Sequence, residues 1–129
     1  MDVHFAGMVG KLIKDAGPLA GKSLAATHVD SWEVGRQNWT PKLRKEFLKR
    51  RGYDLLQWLP CLTEKAGMTP AIKIGDEAMR TRFLWDFDQT RAELLSENYS
   101  GRLAELAHEH GMRFTLEGYT LPFGDELVV

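Results

Sequence analysis

The stretch GMRFTLEGY, residues 111–119, decides the fold class of this chain. Apolar and polar residues alternate along it, in the order Met112, Arg113, Phe114, Thr115, Leu116 and Glu117. A period of two is typical of a half-buried strand, so we predict a strand from Met112 to Leu116. A second β-leaning run without helical spacing covers Leu24 to Val29 and ends at Asp30.

Two helical patterns lead into these strands. Apolar residues at helical spacing, stopped by Gly17-Pro18, predict a helix from Asp2 to Ala16. The longest pattern runs from Asp76 to His110, with a break or a bend predicted near NYSG, residues 98–101. Gly111 follows it as the residue that ends the helix.

The residue pattern between Thr40 and Gly52 predicts another helix. Thr40 followed by Pro41 is typical of an N-cap and a first helical residue, and Gly52 is the predicted stop. Trp58 and Trp85 lie within apolar stretches, so we predict that both belong to the core.

The order helix, strand, long helical crossover, strand favours a parallel pair in an α/β sheet. With 129 residues, of which 43% are hydrophobic and 27% charged, the composition is that of one folded domain. No apolar run reaches the roughly 18–20 residues of a membrane span, and no signal peptide is recognised.

The charge pattern argues against nucleic-acid and membrane partners. The formal net charge is −1, so no overall field attracts the chain to phosphates or anionic lipids. Basic residues do cluster between positions 42 and 51, where a solvated helix face is the simpler interpretation. The single Cys61 cannot form an internal disulfide and is predicted to be a buried apolar side chain.

Ionisable side chains follow both predicted strands. His28, Asp30 and Glu33 end or follow the first strand, and Glu117 ends the second. In parallel α/β sheets and barrels, active sites form at the carboxyl ends of the strands. Two facing carboxylates are what cleavage of a glycosidic bond needs, one as acid and one as base or nucleophile. The nearby aromatic residues that suit a sugar ring are Trp32, Trp39 and Tyr119.

Two long stretches of the chain resemble the catalytic barrel of the glycoside hydrolase family 106 α-L-rhamnosidases. They are HVDSWEVGRQNWTPKLRKEFLKRRGYDLLQWLPCL and RFLWDFDQTRAELLSENYSGRLAELAHEHGMRFTLEGY, and the similarity extends from about Gly10 onward. The combination of DSWE, RRGYDL, SENY and AHEHG is more specific than any one of these motifs.

The resemblance implies an α/β fold that is helix-rich, with two parallel strands, and forms part of a (β/α)₈ TIM barrel. Because a complete barrel takes at least about 200 residues, residues 1–129 are expected to be one segment of a larger enzyme, truncated at both ends; the alternative is a smaller protein that has taken up the family motifs. The implied partners are a rhamnose-containing carbohydrate and the rest of the parent enzyme, or self-association if the segment is isolated. Calcium is the implied cofactor, and the implied location is extracytoplasmic.

The resemblance also implies roles for individual residues. Glu33 matches the general acid of an inverting mechanism, and Glu117 matches the general base or a ligand of substrate or metal. The candidate substrate-binding residues are His28, Asp30, Trp32, Arg36, Trp39 and Tyr119, and no residue is assigned to a metal.

Other interpretations stay open. Glu33 could be an exposed glutamate at a helix entry, and His28 and Asp30 could form a structural hydrogen-bonded pair. The chain could belong to another barrel glycosidase, β-galactosidase-like and retaining, in which Glu117 is the nucleophile. It could also be a non-catalytic helical interaction module that uses the acidic region 76–110, which predicts Glu33 and Glu117 far apart.

Overall fold

The computed structural model describes residues 1–30 and 39–117. These ranges form a mixed, helix-rich α/β structure. Its helices and strands, in chain order, are α1 (Asp2–Gly7), α2 (Val9–Ala16), β1 (Ala26–Val29), α3 (Leu43–Arg51), α4 (Leu62–Lys65), α5 (Glu77–Leu95), α6 (Arg102–Glu109) and β2 (Arg113–Leu116). Short 3₁₀ helices cover Gly17–Leu19 and Leu56–Cys61, and a π-helix covers Ser96–Gly101.

Strands β1 and β2 pair in parallel, which confirms the topology predicted from the order of the elements. His28 lies opposite Thr115, and Val29 lies opposite Leu116. The ladder extends one residue further, since the Glu117 N–H donates to the Val29 carbonyl at 3.0 Å. Both strands therefore end at the same edge of the sheet.

The chain divides into two compact units, and the first comprises residues 1–36 and 93–129. Its core is a cluster of Phe5, Leu103 and Leu106, against which Val29 and Phe114 pack. One face of the sheet is thus covered by residues of α1 and α6. Burying each such side chain contributes about 1.5–3 kcal/mol, so this contact fixes the sheet against its helices.

The predicted single helix from Asp2 to Ala16 is wrong in one respect. Met8 has distorted helical dihedrals, with φ −114° and ψ −72°, and separates α1 from α2. Gly7 and Gly10 flank this break, and glycine costs about 1 kcal/mol in a helix relative to alanine. The apolar spacing was informative even so, because Val9 packs on the same core cluster as Phe5.

The long helical region is interrupted close to the predicted position, by a π-helix, Ser96–Gly101, between α5 and α6. A side chain at Gly101 would place its Cβ 2.7 Å from the Ser96 carbonyl oxygen, so the wider turn requires glycine there. Asp76 caps α5, because its Oδ1 accepts the Met79 N–H at 2.8 Å. Gly111 ends the region as predicted, with φ +68°.

The second unit comprises residues 37–92 and has an aromatic core. The Phe47 and Phe83 rings lie 6.0 Å apart, as do the Phe83 and Phe87 rings. Trp58, which was predicted to belong to the core, is half-buried and stacks on Phe83 at 6.2 Å. Trp85 was predicted wrongly and is 59% exposed. It lies two positions from both Phe83 and Phe87, so about 200° of helical rotation turns it to the opposite face.

Helix α3 begins later than the sequence predicts. The Thr40 carbonyl accepts the Leu43 N–H at 3.0 Å in a turn, and Lys42 is the N-cap instead of Thr40. Gly52 ends the helix as predicted, in the left-handed conformation. In the described part of the chain, none of the helices has the length and apolar character needed to cross a membrane.

A partly buried polar contact joins α5 to the segment after α3. The Tyr53 hydroxyl donates to Oδ2 of Asp86, a residue that is 5% exposed, at 2.9 Å. Burial, together with this bond to the carboxylate, raises the pKa of Tyr53 above its ordinary range. The contact therefore stabilises the fold at pH values where tyrosine is protonated, and the stabilisation is lost as rising pH ionises the native phenol.

Removing this hydroxyl should destabilise the protein. We expect Tyr53→Phe to lower the free energy of unfolding by about 1–3 kcal/mol, because the buried Asp86 loses a hydrogen-bond donor. Urea denaturation measures the change, and spectrophotometric titration should show the loss of a tyrosine that ionises at unusually high pH. Unchanged stability together with an unchanged titration curve would contradict the role of Tyr53.

Candidate active site

The candidate site lies at the carboxyl ends of β1 and β2. Asp30 follows β1, and Glu117 follows β2. The hydrogen bond from the Glu117 N–H to the Val29 carbonyl, 3.0 Å long, places the backbones of these two acidic residues side by side. The parallel register explains this arrangement, since Val29 and Leu116 are partners in the ladder. The structure therefore brings together Asp30 and Glu117 at one edge of the sheet.

The two faces of the sheet differ in character. Val29 and Phe114 lie on the face that packs against the helices of the first unit. Successive side chains of a strand point to opposite faces, so His28 and Thr115 lie on the other face. Both are exposed, and His28 Nδ1 lies 2.9 Å from Thr115 Oγ1. The sheet thus presents polar groups on the side away from its core.

The same alternation places Asp30 and Glu117 on the polar face. Each lies two residues beyond a member of the facing pair His28 and Thr115. Asp30 is exposed, whereas Glu117 is half-buried. An exposed and a half-buried carboxyl group at the end of an open polar face could contact a hydroxyl-rich ligand.

Glu117 has an unusual environment for a carboxylate. Its Oε2 is buried and has no hydrogen-bond partner within residues 1–30 and 39–117. A buried acceptor without a donor typically costs about 1–3 kcal/mol. Any hydrogen-bond donor that reaches this oxygen, whether a ligand hydroxyl, a water molecule or another part of the chain, would remove this cost.

Four of the candidate residues lie outside the described residues: Trp32, Glu33, Arg36 and Tyr119. Their proposed roles stay predictions, as does the separation between Glu33 and Glu117. Trp39 is described and is 49% exposed, in the second unit. An exposed indole of this kind is available for stacking on a sugar ring.

The calcium ion that the resemblance implies stays a prediction. The ion takes six to eight oxygen ligands. Within residues 1–30 and 39–117, no group of three or more acidic, histidine or cysteine residues could hold a metal ion. Asp30 and Glu117 supply too few ligands by themselves, so no step of the proposed reaction is assigned to calcium.

Sequence reasoning missed Thr115. Its hydroxyl contacts the ring of His28 and lies 3.3 Å from the Thr27 carbonyl, to which it can donate. The signal was present in the alternation of β2, which places Thr115 on the same face as Glu117. What the sequence lacked was the register that sets Thr115 opposite His28.

Comparison with known proteins decides the family. A family model described as α-L-rhamnosidase, that of glycoside hydrolase family 106, matches residues 1–124. The chain belongs to glycoside hydrolase family 106. This membership confirms the resemblance carried by DSWE, RRGYDL, SENY and AHEHG.

Two relatives illustrate the similarity. A curated protein of Formosa agariphila, named "Putative beta-glucuronidase", is 36% identical over 123 residues, covering 95% of this chain and 10% of that protein. The solved structure of a rhamnosidase from Novosphingobium sp. PP1Y matches with a TM-score of 0.68 and 37% identity, over 84% of this chain and 10% of that one. This family 106 chain therefore spans about a tenth of the length of either relative.

Proposed function

We propose that this family 106 chain is one segment of a (β/α)₈ catalytic domain that hydrolyses terminal α-L-rhamnosides with inversion. The observation that carries the proposal is the half-buried Glu117, which lies beside Asp30 at the carboxyl end of β2 and whose Oε2 has no hydrogen-bond partner among residues 1–30 and 39–117. Carboxyl ends of parallel strands are where barrel enzymes bind their substrates. Family membership supports a glycoside as the substrate.

The proposed reaction uses two carboxyl groups. Protonated Glu33 donates its proton to the glycosidic oxygen as the bond from that oxygen to the anomeric carbon breaks. Glu117 accepts a proton from a water molecule on the opposite face of the sugar, and the water oxygen forms the new bond to the anomeric carbon. The stereochemistry at that carbon is inverted, and the pair needs a separation of about 6.5–9.5 Å to admit the water.

The remaining candidates would bind the sugar. His28 and Asp30 offer polar atoms on the same face as Glu117, and Arg36 offers a cationic donor. Trp32, Trp39 and Tyr119 supply aromatic surfaces for the C–H faces of the ring. In this account, the exposed face of the sheet is the substrate side and the opposite face is structural.

The rest of the barrel is the proposed partner of this segment. Within the described residues, the sheet consists of β1 and β2 alone, so each strand has a neighbouring strand along only one of its two long sides. Exposed edges of this kind pair with further strands. In the intact enzyme we expect neighbouring barrel strands to occupy them, and in the isolated segment we expect self-association.

The printed name of the Formosa agariphila relative gives a second candidate, hydrolysis of a β-glucuronide. The two candidates differ in the sugar, because a glucuronide carries a carboxylate that rhamnose lacks.

The sugar can be tested with the intact enzyme that carries this segment. We expect release of nitrophenol from 4-nitrophenyl α-L-rhamnoside, and release at least about 100-fold slower from the β-D-glucuronide, because moving the charged carboxylate of the glucuronide out of water into a site that fits an uncharged sugar costs desolvation energy. Parallel assays of kcat/KM on the two substrates measure this ratio. Faster hydrolysis of the glucuronide would replace the rhamnosidase proposal with the second candidate.

A further inference from the structure

We propose that Thr115 is a positioning residue that holds His28 in the tautomer protonated at Nδ1, so that Nε2 accepts a hydrogen bond from a hydroxyl group of the substrate. The inference rests on the proposed function for its ligand, a sugar. Its structural half, the tautomer, concerns only residues of the first unit and can be tested without catalysis.

The single hydroxyl hydrogen of Thr115 sets the direction of its two hydrogen bonds. A threonine hydroxyl has one hydrogen to donate and can also accept. Thr115 Oγ1 lies 3.3 Å from the Thr27 carbonyl oxygen, which can only accept, and 2.9 Å from His28 Nδ1. Both contacts are hydrogen bonds only if the hydroxyl donates to Thr27 and Nδ1–H donates to the hydroxyl.

The opposite tautomer satisfies fewer groups. If Nδ1 carried no proton, the hydroxyl hydrogen of Thr115 would point to His28, and the contact with the Thr27 carbonyl would lose its donor. The choice of tautomer is thus tied to the backbone of β1, because the carbonyl belongs to the residue before His28. A neutral imidazole fixed in this way has an acceptor at its other nitrogen, Nε2.

The location of His28 makes this acceptor useful. The side chain is exposed on the polar face of the sheet, two residues before Asp30 and opposite Thr115. Sugar hydroxyls donate as well as accept. Asp30 and Glu117, when ionised, accept only. A fixed Nε2 acceptor therefore extends the same pattern, in which the edge of the sheet receives the hydroxyl hydrogens of the ligand.

The tautomer can be read from the nitrogen-15 shifts of the imidazole ring in the full 129-residue chain, in alkaline buffer, where histidine is generally neutral. We expect the shift of a protonated nitrogen at Nδ1 and of a bare nitrogen at Nε2. Thr115→Val, which keeps the shape but removes the hydroxyl, should shift the population toward protonated Nε2. Thr115→Ser should restore the parent pattern. A proton on Nε2 in the parent chain would overturn the proposal.

Kinetics test the second part of the proposal, the hydrogen bond between the substrate and His28 Nε2. In the intact enzyme, Thr115→Val should raise KM for 4-nitrophenyl α-L-rhamnoside by about 3–10-fold with little change in kcat, the loss expected for one hydrogen bond. Thr115→Ser should return KM to the parent value. An unchanged KM in Thr115→Val would overturn the role in substrate binding. Because the nitrogen shifts need no activity, failure of this proposal is distinguishable from failure of the rhamnosidase proposal.

Discussion

Glu33→Gln is expected to lower the rate of α-L-rhamnoside hydrolysis by about 10²–10⁴-fold, the usual contribution of a general acid. The amide has nearly the same shape as the carboxyl group but cannot supply the proton that the departing oxygen needs. Initial rates of the intact enzyme on a rhamnoside with an alkyl leaving group measure the effect, since such an alkoxide leaves poorly without protonation.

The leaving group provides an internal test of this role. A dinitrophenolate departs without help from an acid, so we expect the loss of rate in Glu33→Gln to be much smaller on the dinitrophenyl rhamnoside.

Glu77→Gln is the matched control, because Glu77 is an exposed glutamate at the start of α5. The rates of this variant on both substrates should equal those of the parent. Equal losses on both substrates would contradict the assignment of Glu33 as acid.

Glu117→Gln is expected to reduce hydrolysis by a similar factor, about 10²–10⁴-fold, for a different reason. A base is needed to activate water whatever the leaving group is. The loss should therefore be the same for alkyl and dinitrophenyl rhamnosides, in contrast to Glu33→Gln. A loss that depends on the leaving group would assign Glu117 to the acid role instead.

Stability separates a catalytic from a structural Glu117. Its Oε2 has no hydrogen-bond partner in the described part of the chain, so replacing the carboxylate by an amide removes no bond at that oxygen. We expect the free energy of unfolding of Glu117→Gln, measured in urea, to stay at or above that of the parent. Destabilisation by several kcal/mol would mean that Glu117 is chiefly structural.

The parallel sheet was predictable because its signals are local. Alternation from Met112 to Leu116 identified β2, and the long helical crossover before it required a parallel return to β1. The meeting of Asp30 and Glu117 at one edge follows from these two facts. The family resemblance, which the family match confirms, added the chemistry that such an edge would perform.

Other features depended on three-dimensional context that spacing does not contain. The break at Met8 preserves the apolar period on both sides, so periodicity could not reveal it. Trp85 lies in an apolar stretch, yet the rotation of α5 that buries Phe83 and Phe87 exposes it. His28 and Thr115 are 87 positions apart in sequence. Their contact could be predicted only from the register between β1 and β2, which the sequence does not contain.

The distance between the carboxyl groups of Glu33 and Glu117, in a crystal structure of the intact enzyme with L-rhamnose bound, tests the central claim most directly. We expect the two groups to flank the anomeric carbon at a separation of about 6.5–9.5 Å, with room for one water molecule beside Glu117. A separation of about 5–5.5 Å would indicate a retaining enzyme. Carboxyl groups that share no pocket would contradict the two-carboxylate site.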